Sequence, residues 1–177
     1  AQNFCQKSKP KSIIDISAIT SIFRPGPLSA GVDSQYVNAK SNPSSVKYIH
    51  KLIKEITKET HGFLIFQEQI ALLAHKLGKD LTLVAGCIEK SIDKREAEKL
   101  WQTFEYFSGY GFNKSHAVSY SILSYQCAHL LNYYPVEWMA AFLDKEPEGR
   151  KERAINIVRS LGYRVKRPDI NESGQVW

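Results

Sequence analysis

Between His116 and Leu143 the chain carries one formal charge, Glu137. A stretch so poor in charge must be buried in protein or enter a membrane. Ser119, Ser121, Ser124, Gln126, His129 and Asn132 are scattered through it, and Pro135 interrupts it. Polar groups at that density and a helix-breaking residue disfavour a single lipid-facing span. The stretch therefore predicts two buried helices. Pro135 opens the second, because its missing N–H is no loss in a first helical turn, and Trp138, Met139 and Phe142 follow on it.

Directly upstream lies Tyr106-Phe-Ser-Gly-Tyr-Gly-Phe-Asn-Lys-Ser-His116. Gly109 and Gly111 free this loop for turns that other residues resist. Asn113, Lys114, Ser115 and His116 then arrive where a helix begins, beside unpaired N–H groups and the positive end of its dipole. Such a loop is suited to a phosphate or a nucleotide. It is equally the pattern of a capped glycine turn, with Ser115 as the cap and Lys114 in solvent.

The formal charge of +6 is unevenly placed. Residues 1–58 hold nine Lys/Arg against three Asp/Glu, and residues 59–177 hold fifteen of each. A basic first third points to an acidic partner surface, nucleic acid before an anionic membrane. Cys5, Cys87 and Cys127 are too few and too irregularly spaced for a disulfide framework, and fit a reducing cytoplasm. No paired Cys or His spacing suggests zinc, and no signal pattern stands at the N-terminus.

Along the chain, Ser12-x-x-Asp15 reads as a capping box before Ile13, Ile16, Ile19 and Ile22, with Pro25 ending that helix. Arg24-Pro-Gly-Pro27 reads as a rigid turn, and the polar residues 29–45 as an exposed loop. Val46, Ile49, Leu52, Ile53 and Ile56 mark an amphipathic helix whose other face carries Lys47, Lys51, Lys54 and Lys58. That face is either solvated or laid on a DNA backbone.

Phe63-Leu-Ile-Phe66 suits a buried strand or extended segment. A helix through Ile70, Leu73, Ala74 and Leu77 follows, stopped by Gly78. A helix over about 81–91 is a weaker expectation. Asp93-x-x-Glu96 caps another, with Ala97, Leu100, Trp101, Phe104 and Phe107 as its apolar stripe. A last helix carries Ala154, Ile157, Val158 and Leu161 before Gly162. The expected fold is mainly α, a compact helical domain with short strand segments.

Four blocks in register give these elements a wider meaning. The run GYGFNKSHAVSYSILSYQCAHLLNYYPVEWMAAFL resembles the fingers region of the C-family bacterial replicative DNA polymerases, typified by DNA polymerase III alpha subunits. Ile16 to Leu28 resembles the family's helix and RPGPL turn. Gly62-Phe-Leu-Ile-Phe-Gln-Glu-Gln-Ile70 resembles its run ending in YQEQ, with Phe66 for tyrosine. Lys166-Arg-Pro-Asp-Ile-Asn-Glu-Ser173 resembles its PPDIN segment. The resemblance makes residues 1–177 a fingers-like portion, with 1–11 a flexible or truncated start.

By this resemblance the chain is part of a DNA-directed DNA polymerase, and its partners are template-primer DNA and deoxynucleoside triphosphates. The family's catalytic aspartates and their Mg2+ belong to a palm outside this chain, on another polypeptide or the remainder of the same one. Asp15, Asp33, Asp80 and Asp93 have no spacing that assembles a metal pair, so no catalytic carboxylate is expected here. Lys90, Lys94 and Arg95 stand at basic positions of the family, though Glu89 and Asp93 replace an arginine and a glycine. The family carries about twenty further residues before the glycine loop. Lys114 and His116 would close on the nucleotide, Asn113 would orient it, and Arg24 would sit near the cleft. His116 could instead serve only the helix start, and Arg24 the helix dipole. A non-catalytic alternative binds DNA through the basic third, or docks onto another polymerase subunit through Trp101, Trp138 or the loop.

Overall fold

The computed structural model describes residues 1–48, 51–77 and 111–174, together with Asp93, Arg95, Glu98, Lys99 and Gln102. The expected helix at 81–91, the stop at Gly78 and the apolar stripe of Ala97, Leu100, Trp101, Phe104 and Phe107 lie outside the described residues. The chain forms two compact units, Ala1–Ile122 and Leu123–Trp177.

In the first unit, α1 spans Gln2–Ser8, α2 Ile13–Ile22, α3 Pro25–Ser29 and α4 Val32–Ser41. Short α5, Lys51–Thr57, continues into a 3-10 turn at Lys58–Thr60, and α6 follows as Gln67–Leu77. In the start expected to be flexible or truncated, α1 buries Phe4 against Tyr36 in the core. The capping box holds: Asp15 N–H donates to Ser12 Oγ at 3.1 Å and Ser12 N–H to Asp15 Oδ2 at 3.1 Å. Pro25 does not simply end α2. It occupies the first turn of α3, where no N–H is needed, so the expected rigid turn is a short helix.

The expected loop at 29–45 is largely α4, which buries Val32, Tyr36 and Ala39 on one face. Those residues recur at helical spacing, but the polar residues between them hide it. The helix expected from Val46 is shorter too. Residues 46–48 are not helical, and Lys51–Thr57 buries Ile53 and Ile56. Gly62 has a φ of +95°, and an added Cβ would stand 2.7 Å from Val46 Cγ1, so only glycine fits this turn.

Helix α7, Lys114–Tyr133, begins in this unit. Its Ala117 and Ser121 are buried, as are Ser17 and Ala18 of α2, and the hydroxyls of Ser17 and Ser121 lie 3.1 Å apart. Small side chains let the two backbones approach, and each hydroxyl also bonds within its own helix: Ser17 to Ile13 O, Ser121 to Ala117 O.

The second unit contains α8, Pro135–Lys145, and α9, Glu148–Ser160. Met139 and Leu143 pack on Ala154 and Val158, with Trp138, Tyr163 and Val165 at the margin. The expectation of two buried helices is only partly met. Helix α8 buries one face, but from Ile122 to Tyr133 every side chain of α7 is exposed, Tyr133 to 65%. No element among the described residues covers that length. No helix among them is long and apolar enough to cross a membrane. The molecule is mainly helical, and among the described residues the short strands reduce to one parallel bridge, Phe66 to Phe112.

A buried ionic cluster ties α2 to α4 and to the turn after α5. The Asp15 carboxylate accepts the Lys11 N–H at 2.7 Å and pairs with Lys40 Nζ at 2.8 Å, and His61 Nε2 lies 3.6 Å away. Tyr36 is fully buried beside it, and its phenol is pushed up by burial and then by the Asp15 charge. Burial pushes the Asp15 carboxyl up, but the hydrogen bonds from Lys40 and Lys11 and the Lys40 charge prevail and leave it below its usual range.

Removing one partner of a buried pair strands the other, so Asp15→Ala is expected to destabilise the unit by about 3–5 kcal/mol. The folded carboxyl titrates below its unfolded value. Its contribution is therefore complete above about pH 4 and is lost as pH falls through the folded value. Urea midpoints from about pH 7 to about pH 3 should show a declining acid limb that Asp15→Asn flattens.

Candidate nucleotide site

Residues 111–113, which lead into α7, are held by backbone contacts. Leu64, Ile65 and Phe66 are buried and extended, as expected, and Phe112 pairs with this segment. Phe112 N–H donates to Ile65 O and Gln67 N–H to Phe112 O, both at 3.0 Å. Gly111 must approach α6 closely: a Cβ there would stand 3.0 Å from both Gln67 Cγ and Ile70 Cδ1.

The buried Gln69 amide holds the other side of this bridge. Its oxygen accepts from Ile65 N–H at 2.9 Å and Phe66 N–H at 3.0 Å. Its nitrogen donates to Ile56 O at 3.1 Å and Thr60 Oγ1 at 2.8 Å. The buried N–H groups of Ile65 and Phe66 are thus satisfied by a side chain.

The bridge sets two aromatic rings in place, and each carries a cation. The Arg24 guanidinium lies 4.8 Å from the Phe112 ring centroid, and its Nε donates to Ser21 O at 2.7 Å. Burial lowers its pKa from the ordinary value, but arginine keeps its proton. Lys114 Nζ lies 5.6 Å from the Phe66 ring. His116 is exposed, its ring 5.6 Å from Phe112 and 4.6 Å from Tyr120. Arg24, Lys114 and His116, expected in nucleotide binding from separate motifs, therefore come together around Phe66 and Phe112.

The start of α7 is not the open anion site that its sequence suggested. Lys114 N–H is held by both Glu68 oxygens, at 2.9 and 3.0 Å. His116 N–H donates to Asn113 Oδ1 at 2.8 Å, and Ser115 Oγ to the same oxygen at 2.7 Å. Asn113, not Ser115, caps this helix. Glu59 Oε1 receives a hydrogen bond from Lys114 Nζ. The site thus offers side-chain cations, and two carboxylates already face it.

Lys90 and Lys94 lie outside the described residues. Arg95 is exposed, its N–H donating to Asp93 Oδ1 at 2.9 Å. Lys51 and Lys54 are exposed on α5, opposite Ile53 and Ile56, while Lys58 is exposed in the following turn and Lys47 in the non-helical stretch before the helix. Trp101 lies outside the described residues, and Trp138 is half-buried against the second unit's core. Glu59, Glu68, Gln69, Phe112 and Tyr120 enter the site without having been assigned to it from the sequence. Only the QEQ block could have flagged Glu68 and Gln69, since glutamate and glutamine so near a buried apolar run need partners.

A sequence model of the family described as bacterial DNA polymerase III alpha subunit finger domain matches residues 1–110. The chain is 34% identical to the DNA polymerase III subunit alpha of Borreliella burgdorferi over 198 residues, covering 97% of the chain and 17% of the relative. The subunit of the same name from Helicobacter pylori is 32% identical, over 98% of the chain and 16% of the relative. That of Aquifex aeolicus is 31% identical, over 95% and 17%. The chain thus spans about one sixth of the length of these relatives. Each match also runs longer than the chain itself, so the relatives carry residues with no counterpart here.

Proposed function

The chain belongs to the bacterial DNA polymerase III alpha subunit finger-domain family, and we propose that it receives the incoming deoxynucleoside triphosphate in a replicative DNA-directed DNA polymerase. The observation that carries this reading is the convergence of Arg24, Lys114 and His116 on the Phe66–Phe112 bridge. Two cations held over aromatic rings beside an exposed imidazole suit phosphates and a base edge together. Because Glu68 takes the first helical N–H, the phosphates are met by Lys114 and Arg24 side chains and not by the helix end. Asn113 supports them by capping α7, and Lys90, Lys94 and Arg95 extend the basic surface in this reading.

Magnesium supplies charge neutralisation at the phosphates and activation of the primer hydroxyl, and its ligands would lie in a palm outside this chain. Three of the described acids are already engaged: Asp15 with Lys40, Glu59 with the Lys114 ammonium group and Glu68 with the Lys114 N–H. Among the described residues no three metal-ligating side chains converge. The palm-containing polypeptide, or the remainder of the same one, has a surface to meet in the exposed uncharged length of α7. Lys47, Lys51, Lys54 and Lys58 are assigned to the phosphates of template-primer DNA. The competing reading is a non-catalytic fragment that binds DNA or docks onto another polymerase subunit, and the bare α7 surface suits docking.

In a polymerase assembled with its palm, Lys114→Ala removes one charge-assisted contact. It should cost about 1.5–3 kcal/mol, a roughly ten- to hundredfold fall in kcat/KM for nucleotide. His116→Ala should cost a similar amount if the ring touches the nucleotide. Unchanged efficiency for both variants would favour the non-catalytic reading.

Replacing Lys51 and Lys54 by Glu should weaken DNA binding by the assembled enzyme and flatten the slope of log K against log salt by about two counterions. Unfolding midpoints should be unchanged, since both side chains face away from Ile53 and Ile56. An unchanged slope would leave that face as a solvated one.

A further inference from the structure

The structure places an acid where the proposed ligand is itself acidic. Glu59 holds the Lys114 ammonium group through a direct hydrogen bond, in a pair whose side chains are 30% and 40% exposed. An ion pair so accessible to water is worth little and is readily exchanged. The backbone of Lys114 is not free to follow such an exchange. Glu68 holds its N–H with both oxygens, and Asn113 caps the same helical turn. Only the flexible side chain can change partners.

The backbone that carries Glu59 is equally well anchored. It sits in the 3-10 turn Lys58–Thr60, whose Thr60 hydroxyl bonds Phe63 O at 2.5 Å and receives the Gln69 amide at 2.8 Å. An anchored turn and an anchored helix start therefore face each other across the Glu59–Lys114 pair.

Resting on the assignment of Lys114 to the triphosphate, we propose that Glu59 competes with the nucleotide for that side chain. When no nucleotide is present, Glu59 holds Lys114 over the Phe66 ring. A polyphosphate takes the ammonium group by displacing the carboxylate. An ammonium is a compact point charge and is not neutralised twice at full strength. The exchange succeeds only where the ligand holds the ammonium group more strongly than the carboxylate does, which favours a ligand with several phosphate charges over one with a single charge. Glu59 is a positioning residue in this scheme: it touches Lys114, not the reacting atoms.

The test is a double-mutant cycle in the polymerase assembled with its palm, read as steady-state KM for a deoxynucleoside triphosphate. Glu59→Gln should lower KM by about two- to fivefold, the range of an exposed ion pair, with kcat moving less than KM. In the Lys114→Ala background the same substitution should have no effect on KM, because the two residues act as one pair. An unchanged or raised KM for Glu59→Gln, with Lys114→Ala still damaging, would overturn the competition and leave the nucleotide assignment standing. A fall in KM that persists without Lys114 would also overturn it. Should Lys114→Ala leave kcat/KM unchanged, the nucleotide assignment falls and the competition with it.

Discussion

The Gln69 side-chain amide makes four hydrogen bonds inside the first unit, two to the extended segment and two to the end of α5 and its turn. Much of the site depends on it. The buried N–H groups of Ile65 and Phe66 would otherwise face no acceptor, which is costly for any buried backbone donor. With them satisfied, Ile65 O is free to accept Phe112 N–H, and Phe112 O accepts Gln67 N–H. One residue of bridge then fixes both the ring under Arg24 and the register at which α7 starts.

Positions beyond the bridge follow from close approach. Gly111 lies against α6 where a Cβ would stand only 3.0 Å from Gln67 Cγ and Ile70 Cδ1. Ser17, Ala18, Ala117 and Ser121 are small enough for α2 and α7 to meet. Arg24, anchored on Ser21 O at the end of α2, is thereby carried onto Phe112. The electrostatics are a balance of opposed charges, with Glu59 and Glu68 around Lys114.

How much of this was legible in the sequence varied with the range of the interaction. The Ser12–Asp15 capping box, the helix opened by Pro135 and the α6 stripe depend on neighbours within a turn, and their patterns were visible. Helix α4 was not, because its anchors Tyr36 and Lys40 are satisfied by α1, α2 and the His61 turn, far away in sequence. The bare face of α7 was misjudged for a related reason: lack of charge shows that a surface needs cover, not whether this chain supplies it. At the site, Lys114, His116 and Arg24 stood out as cations in unusual turns. Glu59 lies 55 residues before Lys114 and Glu68 lies 46 before it, so no local spacing linked either acid to the loop.

Amide hydrogen exchange in Gln69→Leu tests most directly whether this one side chain positions the loop. The change removes the acceptor of the Ile65 and Phe66 N–H groups and leaves α8 and α9, in the other unit, as an internal reference. The amides of Phe112, Gln67 and Lys114 should lose protection together with those of Ile65 and Phe66, while those of Met139, Leu143 and Val158 keep theirs. Protection of Phe112 and Lys114 that survives the loss of Gln69 would contradict the account, since the loop would then be held in place by something other than the Gln69-supported bridge.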